Sequence, residues 1–124
     1  MGYSKGTLAG DFIEGVMSEL DGTIAVGVVE ITAGLSMDTF STRKEIDPDV
    51  ASANMMEMVR ALQQTIKALQ LNDSIKDIFI TLDSQVHFLT LSKGGKALFY
   101  IVAESQGANL SIMRSVIRKY AKGI

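Results

Sequence analysis

Cysteine is absent from this 124-residue chain, which removes disulfides, thiolate nucleophiles and cysteine metal sites in one step. A reducing compartment suits such a chain. An excess of positive charge is missing as well: twelve Lys and Arg stand against fourteen Asp and Glu, a net charge of −2 with a pI near 5.3. No global positive field exists to collect nucleic acid or an anionic membrane surface, so neither is expected as a partner. No stretch approaches the roughly twenty uninterrupted apolar residues of a spanning helix. Asp11, Glu14 and Glu19 interrupt the amino-terminal region before a signal-like hydrophobic segment could form. The expectation is a cytoplasmic protein with no direct membrane insertion.

Histidine is scarce too. The single one, His87, falls mid-strand between Val86 and Phe88, with no second histidine or cysteine to share a metal. A packed, hydrogen-bonded role is expected for it, with an enzyme using His87 as a base kept as an alternative. Asp73, Asp77 and Asp83 lie at strand ends and turns, where aspartate bonds its own backbone. Lys93-Gly94-Gly95-Lys96 opens into a strand rather than a helix, so it reads as a hairpin turn and not a phosphate cradle. Ser84, Ser92 and Ser105 lack the glycine-flanked elbow of a hydrolase nucleophile. The chain is therefore expected not to be an enzyme, with no catalytic residue, metal ligand or cofactor.

What is present is apolar. Hydrophobic residues make up 47% of the chain and the mean hydropathy is +0.22. That suits one domain spanning residues 1–124 with more buried surface than a monomer this small usually has, so oligomerisation is suspected. A first helix from about Thr7 to Leu20 ends at Asp21-Gly22. Thr23 to Ile31 and Leu35 to Thr42 read as strands about the turn Thr32-Ala33-Gly34. Three further strands, Lys76 to Leu82, Gln85 to Leu91 and Lys96 to Ala103, form an antiparallel meander whose last turn is Gly94-Gly95. Asn109 caps a closing helix from about Leu110 to Lys122. Its Arg114, Arg118, Lys119 and Lys122 read as a solvated face. The strands are apolar on both faces: Ile78 and Ile80 oppose Phe79, and Leu98, Tyr100 and Val102 oppose Phe99 and Ile101. Helices must then cover both sides. The fold class is α+β, an α/β/α three-layer sandwich on a five-stranded antiparallel sheet in the order α-β-β-α-β-β-β-α.

The helix between the two strand blocks, Asp47 to Leu71, organises the rest. Asp47 is a natural N-cap and Pro48 fits the first helical position. Ala51, Met55, Met58, Val59, Leu62, Ile66 and Leu69 recur at three- and four-residue spacing, a stripe expected to close one face of the sheet. A second side carries Ala53, Met56, Arg60, Gln63, Gln64 and Lys67. Met56 there is either a singly exposed apolar residue or part of a contact with another chain.

The ordered combination of Asp77-Ile78-Phe79-Ile80-Thr81-Leu82, Gln85-Val86-His87-Phe88-Leu89, the strand Leu98 to Val102 and Ala108-Asn109-Leu110-Ser111-Ile112-Met113-Arg114 resembles the Roadblock/dynein light chain superfamily in its short bacterial single-domain form. The likeness covers nearly the whole chain. It departs at the turn Thr32-Ala33-Gly34 and at Thr90, where family members often carry arginine. The resemblance implies a Roadblock/profilin-like sheet with the central helix on one face and the terminal helices on the other. It also implies a homodimer in which central helices pack antiparallel and third strands pair edge to edge. Function would follow as a non-catalytic regulator or scaffold that binds a small Ras-like GTPase and modulates its nucleotide turnover or localisation, without a cofactor. The dimer interface expected on this basis is Ala53, Met56, Arg60, Gln63 and Lys67, with Ile78 and Ile80 in the pairing strand. A small-ligand sensor or adaptor module of a signalling complex is the alternative.

Overall fold

Each helix starts where a side chain can take up its first free backbone N–H groups. In the computed structural model, which describes residues 3–124, Thr7 Oγ1 accepts from Gly10 N–H at 3.0 Å and opens α1 (Leu8–Glu19). Asp47 accepts from Asp49 and Val50 and opens α2 (Pro48–Ala68), with Pro48 in the first turn. Asn109 accepts from Ile112 at 3.0 Å and opens α3 (Leu110–Tyr120). The strands are β1 (Thr23–Glu30), β2 (Leu35–Ser41), β3 (Asp77–Thr81), β4 (Gln85–Leu91) and β5 (Ala97–Glu104). The element order is the expected one, and most boundaries move by one or two residues.

The five strands form one sheet in the order β2-β1-β5-β4-β3, every neighbouring pair antiparallel. The β1–β2 and β3–β4 hairpins thus sit at opposite ends, β5 joins them, and β2 and β3 are the edges. Gly94 and Gly95 both take positive φ in the β4–β5 turn (+91° and +73°), the conformation their sequence position anticipates.

Apolar side chains on the two faces of this sheet build two cores. One lies beneath α1 and α3, with Phe12, Ile13, Val16, Phe88, Phe99, Ile101, Met113 and Ile117. The other lies on the α2 face, with Ile24, Val29, Met56, Val59, Leu89, Leu98, Tyr100 and Val102. The three-layer expectation holds. Gly15 permits the tight contact of α1 with α3, since a Cβ there would sit 2.2 Å from the Tyr120 ring. The same two helices are tied by Lys119 to Glu19 at 2.8 Å and by the Tyr120 hydroxyl on Glu19.

Two cations of α3 are not simply solvated. Arg114 Nε donates to Asp77 Oδ2 at 2.7 Å, holding α3 over the start of the edge strand, while Thr90 Oγ1 donates to Asp77 Oδ1 at 2.7 Å. Lys119 is engaged by Glu19 as described. Arg118 and Lys122 remain exposed.

Candidate functional site

The α2 face of the sheet is built by a helix that covers only part of it. Helix α2 lies along β1 and β2 rather than over β3 and β4. It comes close to the sheet at Gly27 of β1, where a Cβ would stand 2.7 Å from Ser52 Oγ. Two small residues let helix and sheet backbones come together, and that contact sets the rotation of the helix. Ser52, Met56 and Val59 become the buried row.

This rotation shifts the buried row toward the second side: Val59 of the expected stripe stays fully buried, and Met56 joins it from the other side. Met56 is only 6% exposed and packs into the core. Arg60 Nη2 reaches down to donate to the Ile31 carbonyl at 2.8 Å, while Nη1 pairs with Glu57 at 2.9 Å. Gln63 is half-buried, and only Ala53 and Lys67 of the helical set stand exposed. Met56 and Arg60 therefore belong to this chain's own helix–sheet contact. Of the apolar stripe expected to close the sheet, Val59 does so and Ala51 packs beside it, while the rest turns to one flank: Met55, Met58 and Ile66 are half-buried, Leu62 is 40% exposed and Leu69 is 64% exposed. Hydrophobic spacing gave the stripe, but close approach favours the smallest side chains, and those lie to one side of it.

The flank looks toward the part of the sheet that α2 leaves open. Met55 and Met58 border the same apolar cluster as Ile78, Ile80 and Leu91, and Ile66 shares a cleft with Leu91. Ile78 stands opposite Leu89 and Ile80 opposite His87 in the β3–β4 pairing. Both isoleucines are half-buried on the α2 face, and among the described residues the outer edge of β3 pairs with no strand.

Polar groups lie on this floor as well. The Tyr100 hydroxyl meets His87 Nδ1, and His87 Nε2 meets Gln85 Oε1 at 3.0 Å. A neutral histidine with its proton on Nε2 satisfies both contacts, donating to the amide oxygen and accepting from the phenol. Burial pushes the His87 pKa below its ordinary value of 6.5 and pushes Tyr100 up to about 12. The three side chains form a satisfied polar chain in an apolar floor. Among the described residues, no group of three or more His, Asp or Glu side chains is placed to hold a metal ion.

No family model matches the chain, and a search of the curated proteins finds no match. Solved structures do match it. A Roadblock/LC7 domain from Streptomyces avermitilis is similar with a TM-score of 0.66 at 15% identity, over 93% of this chain and 89% of that one. This chain has the Roadblock/LC7 fold. The gliding protein MglB from Thermus thermophilus is similar with a TM-score of 0.71 at 13% identity, over 96% of this chain and 89% of that one. An MglB described as having a tetrameric arrangement gives 0.74 at 14% identity, over 96% and 88%. At such identities the Roadblock/LC7 fold is held here by largely different side chains. Among the described residues, no helix is long and apolar enough to cross a membrane.

Proposed function

We propose that this chain is a non-catalytic homodimeric regulator or scaffold that binds a small Ras-like GTPase and modulates its nucleotide turnover or localisation. The observation that carries the reading is the half-covered α2 face: an apolar helix flank beside an open apolar sheet, at the edge strand β3. Such a surface is completed by a second copy of itself, because a two-fold axis places each flank over the other's open sheet. In this reading Met55, Met58, Leu62 and Ile66 take the place that the family resemblance gave to Met56 and Arg60, while Ile78 and Ile80 keep theirs. Ala53 and Lys67 lie at the rim. The likeness in fold to MglB structures, one of them described as tetrameric, supports self-association.

A Ras-like GTPase as partner follows from the family resemblance of the sequence. In this reading any change in turnover arises by repositioning the GTPase's own residues. The test is single-turnover GTP hydrolysis and nucleotide release by the Ras-like GTPase encoded in the same cell, with and without this protein, paired with light scattering. A dimer at tens of micromolar that co-elutes with the GTPase is expected. A monomer at that concentration, or no complex in either nucleotide state, sinks the reading.

A further inference from the structure

A second surface adjoins the one proposed for self-association. A cleft of about 1080 Å³ opens where the tail of α2, the segment before β3, the β4–β5 turn and the end of α3 converge. Its floor is aliphatic, with Ile66, Leu71, Leu91 and Ile117. Its rim carries Lys67, Lys76, Lys93, Arg118 and Lys122 against only Asp73 and Asp77, in a chain whose net charge is −2. Asp77 is already engaged by Arg114, and none of the five rim cations forms an ion pair among the described residues.

The bland account of these cations is the helix dipole, which favours positive side chains at helix C-termini. It suits Lys67, Arg118 and Lys122, which stand at the ends of α2 and α3. It does not reach Lys76 and Lys93, which come from a loop and a turn. The two helix ends contribute about −0.5 charge each. With Asp73 subtracted and Asp77 neutralised, roughly three positive charges remain around one apolar hollow. Like charges gathered without partners destabilise a fold, so the gathering calls for an anionic occupant.

We propose that this cleft docks an acidic segment of a partner protein, one that carries bulky aliphatic side chains between its carboxylates. The carboxylates meet the rim and the aliphatic groups rest on Leu71 and Leu91. The distribution of charge selects a peptide over a small anion: a single headgroup reaches one or two of the cations, whereas a chain with several carboxylates reaches all of them. The floor selects a peptide over nucleic acid, because base stacking needs exposed aromatic faces and the cleft's one aromatic, Phe99, is almost wholly buried. The cleft shares Ile66 and Lys67 with the surface proposed for self-association, while Lys93, Arg118 and Lys122 lie away from it.

The experiment is fluorescence anisotropy with a labelled peptide of roughly twelve residues built from Glu, Asp, Leu and Ile, titrated with the full chain. Saturable binding in about the micromolar range is expected, weakening about tenfold or more as salt rises from roughly 50 to 300 mM. The double variant Lys93→Glu/Arg118→Glu should lose at least about tenfold in affinity while keeping the melting temperature and oligomeric state of the parent. A control peptide with every carboxylate replaced by lysine should not bind. Equal binding by parent and double variant, or by the acidic and basic peptides, overturns the proposal, as does no saturation up to about 1 mM. Displacement of the labelled peptide by oligo-dT but not by unlabelled acidic peptide would assign the cleft to nucleic acid instead, and saturable binding of dodecanoate without peptide binding would assign it to a small amphiphile. GTPase turnover is not read in this assay, so its failure leaves the regulatory reading standing.

Discussion

Gly27 on β1 and Ser52 on α2 stand in a contact with no room for a side chain between them: a Cβ on the glycine would lie 2.7 Å from the serine oxygen. Ser52 is fully buried, and its hydroxyl has no hydrogen-bond partner among the described residues. The site is therefore specified by size alone, and it makes opposite predictions for two small changes. Gly27→Ala should cost about 1–3 kcal/mol because the added methyl forces the helix off the sheet. Ser52→Ala, which removes an unpaired buried hydroxyl, should leave stability within about 0.5 kcal/mol of the parent or raise it. Urea denaturation of both variants checks this, and a clear loss in Ser52→Ala would mean the hydroxyl is bonded after all.

The rotation of α2 separates folding from association. Met56→Ala should destabilise the chain by about 2–5 kcal/mol, as for other buried large-to-small changes, with little effect on self-association of the protein that remains folded. Leu62→Glu, on the exposed flank, should keep the fold and convert the proposed dimer to monomer. Thermal melts with light scattering at several concentrations distinguish the two. A Leu62→Glu dimer as tight as the parent would remove the flank from the interface.

Acid and base should act on the sheet floor at opposite ends of the pH range. His87 titrates lower when folded than its ordinary 6.5, so the unfolded chain takes up the proton first and stability falls as pH drops below about 6.5. Tyr100 titrates higher when folded, about 12 against 10.0. The unfolded chain then loses its proton first, and stability falls as pH rises beyond about 10. His87→Gln should flatten the acid limb and Tyr100→Phe the alkaline limb in chemical denaturation across pH. If either limb persists unchanged in its variant, the corresponding residue does not produce it.

Helix α2 ends in a left-handed residue that is not glycine. Gln70 has φ of +58°, its N–H donates to the Lys67 carbonyl at 3.0 Å, and the Leu71 N–H donates to the Ile66 carbonyl at 3.1 Å. This is the Schellman arrangement, in which glycine is usual and another residue costs roughly 1–2 kcal/mol. Gln70→Gly should raise stability by about 1 kcal/mol, offset in part by the added freedom of the unfolded chain. A melting temperature unchanged or lowered would argue that the side chain contributes a compensating contact.

What could be read from the residues was largely local. Asp47-Pro48 and Asn109 announce helix starts, Gly94-Gly95 announces a turn of positive φ, and strands apolar on both faces require helices on both sides. The rotation of α2 was not legible, because hydrophobic spacing points to Leu62 and Leu69 whereas the deciding contact joins a serine to a glycine distant in sequence. The bond from Arg114 to Asp77 was hidden for a similar reason: a cation near a helix end reads as solvated until topology brings the edge strand beneath it. The rim of the cleft comes from four separated segments, none basic enough to stand out alone.

The central place of β5 has a kinetic consequence. Val28 of β1 stands opposite Phe99 of β5, so the middle of the sheet joins the early part of the chain to its late part. Until β5 arrives, the β1–β2 and β3–β4 hairpins each present an unpaired inner edge, the kind of surface that templates misassembly. The nucleus that commits the chain should then include the last strand, with slow closure governed by long-range pairing rather than by helix formation. During synthesis the sheet can be completed only after residue 104 has emerged, and in the interval the two half-sheets are the species most in need of protection.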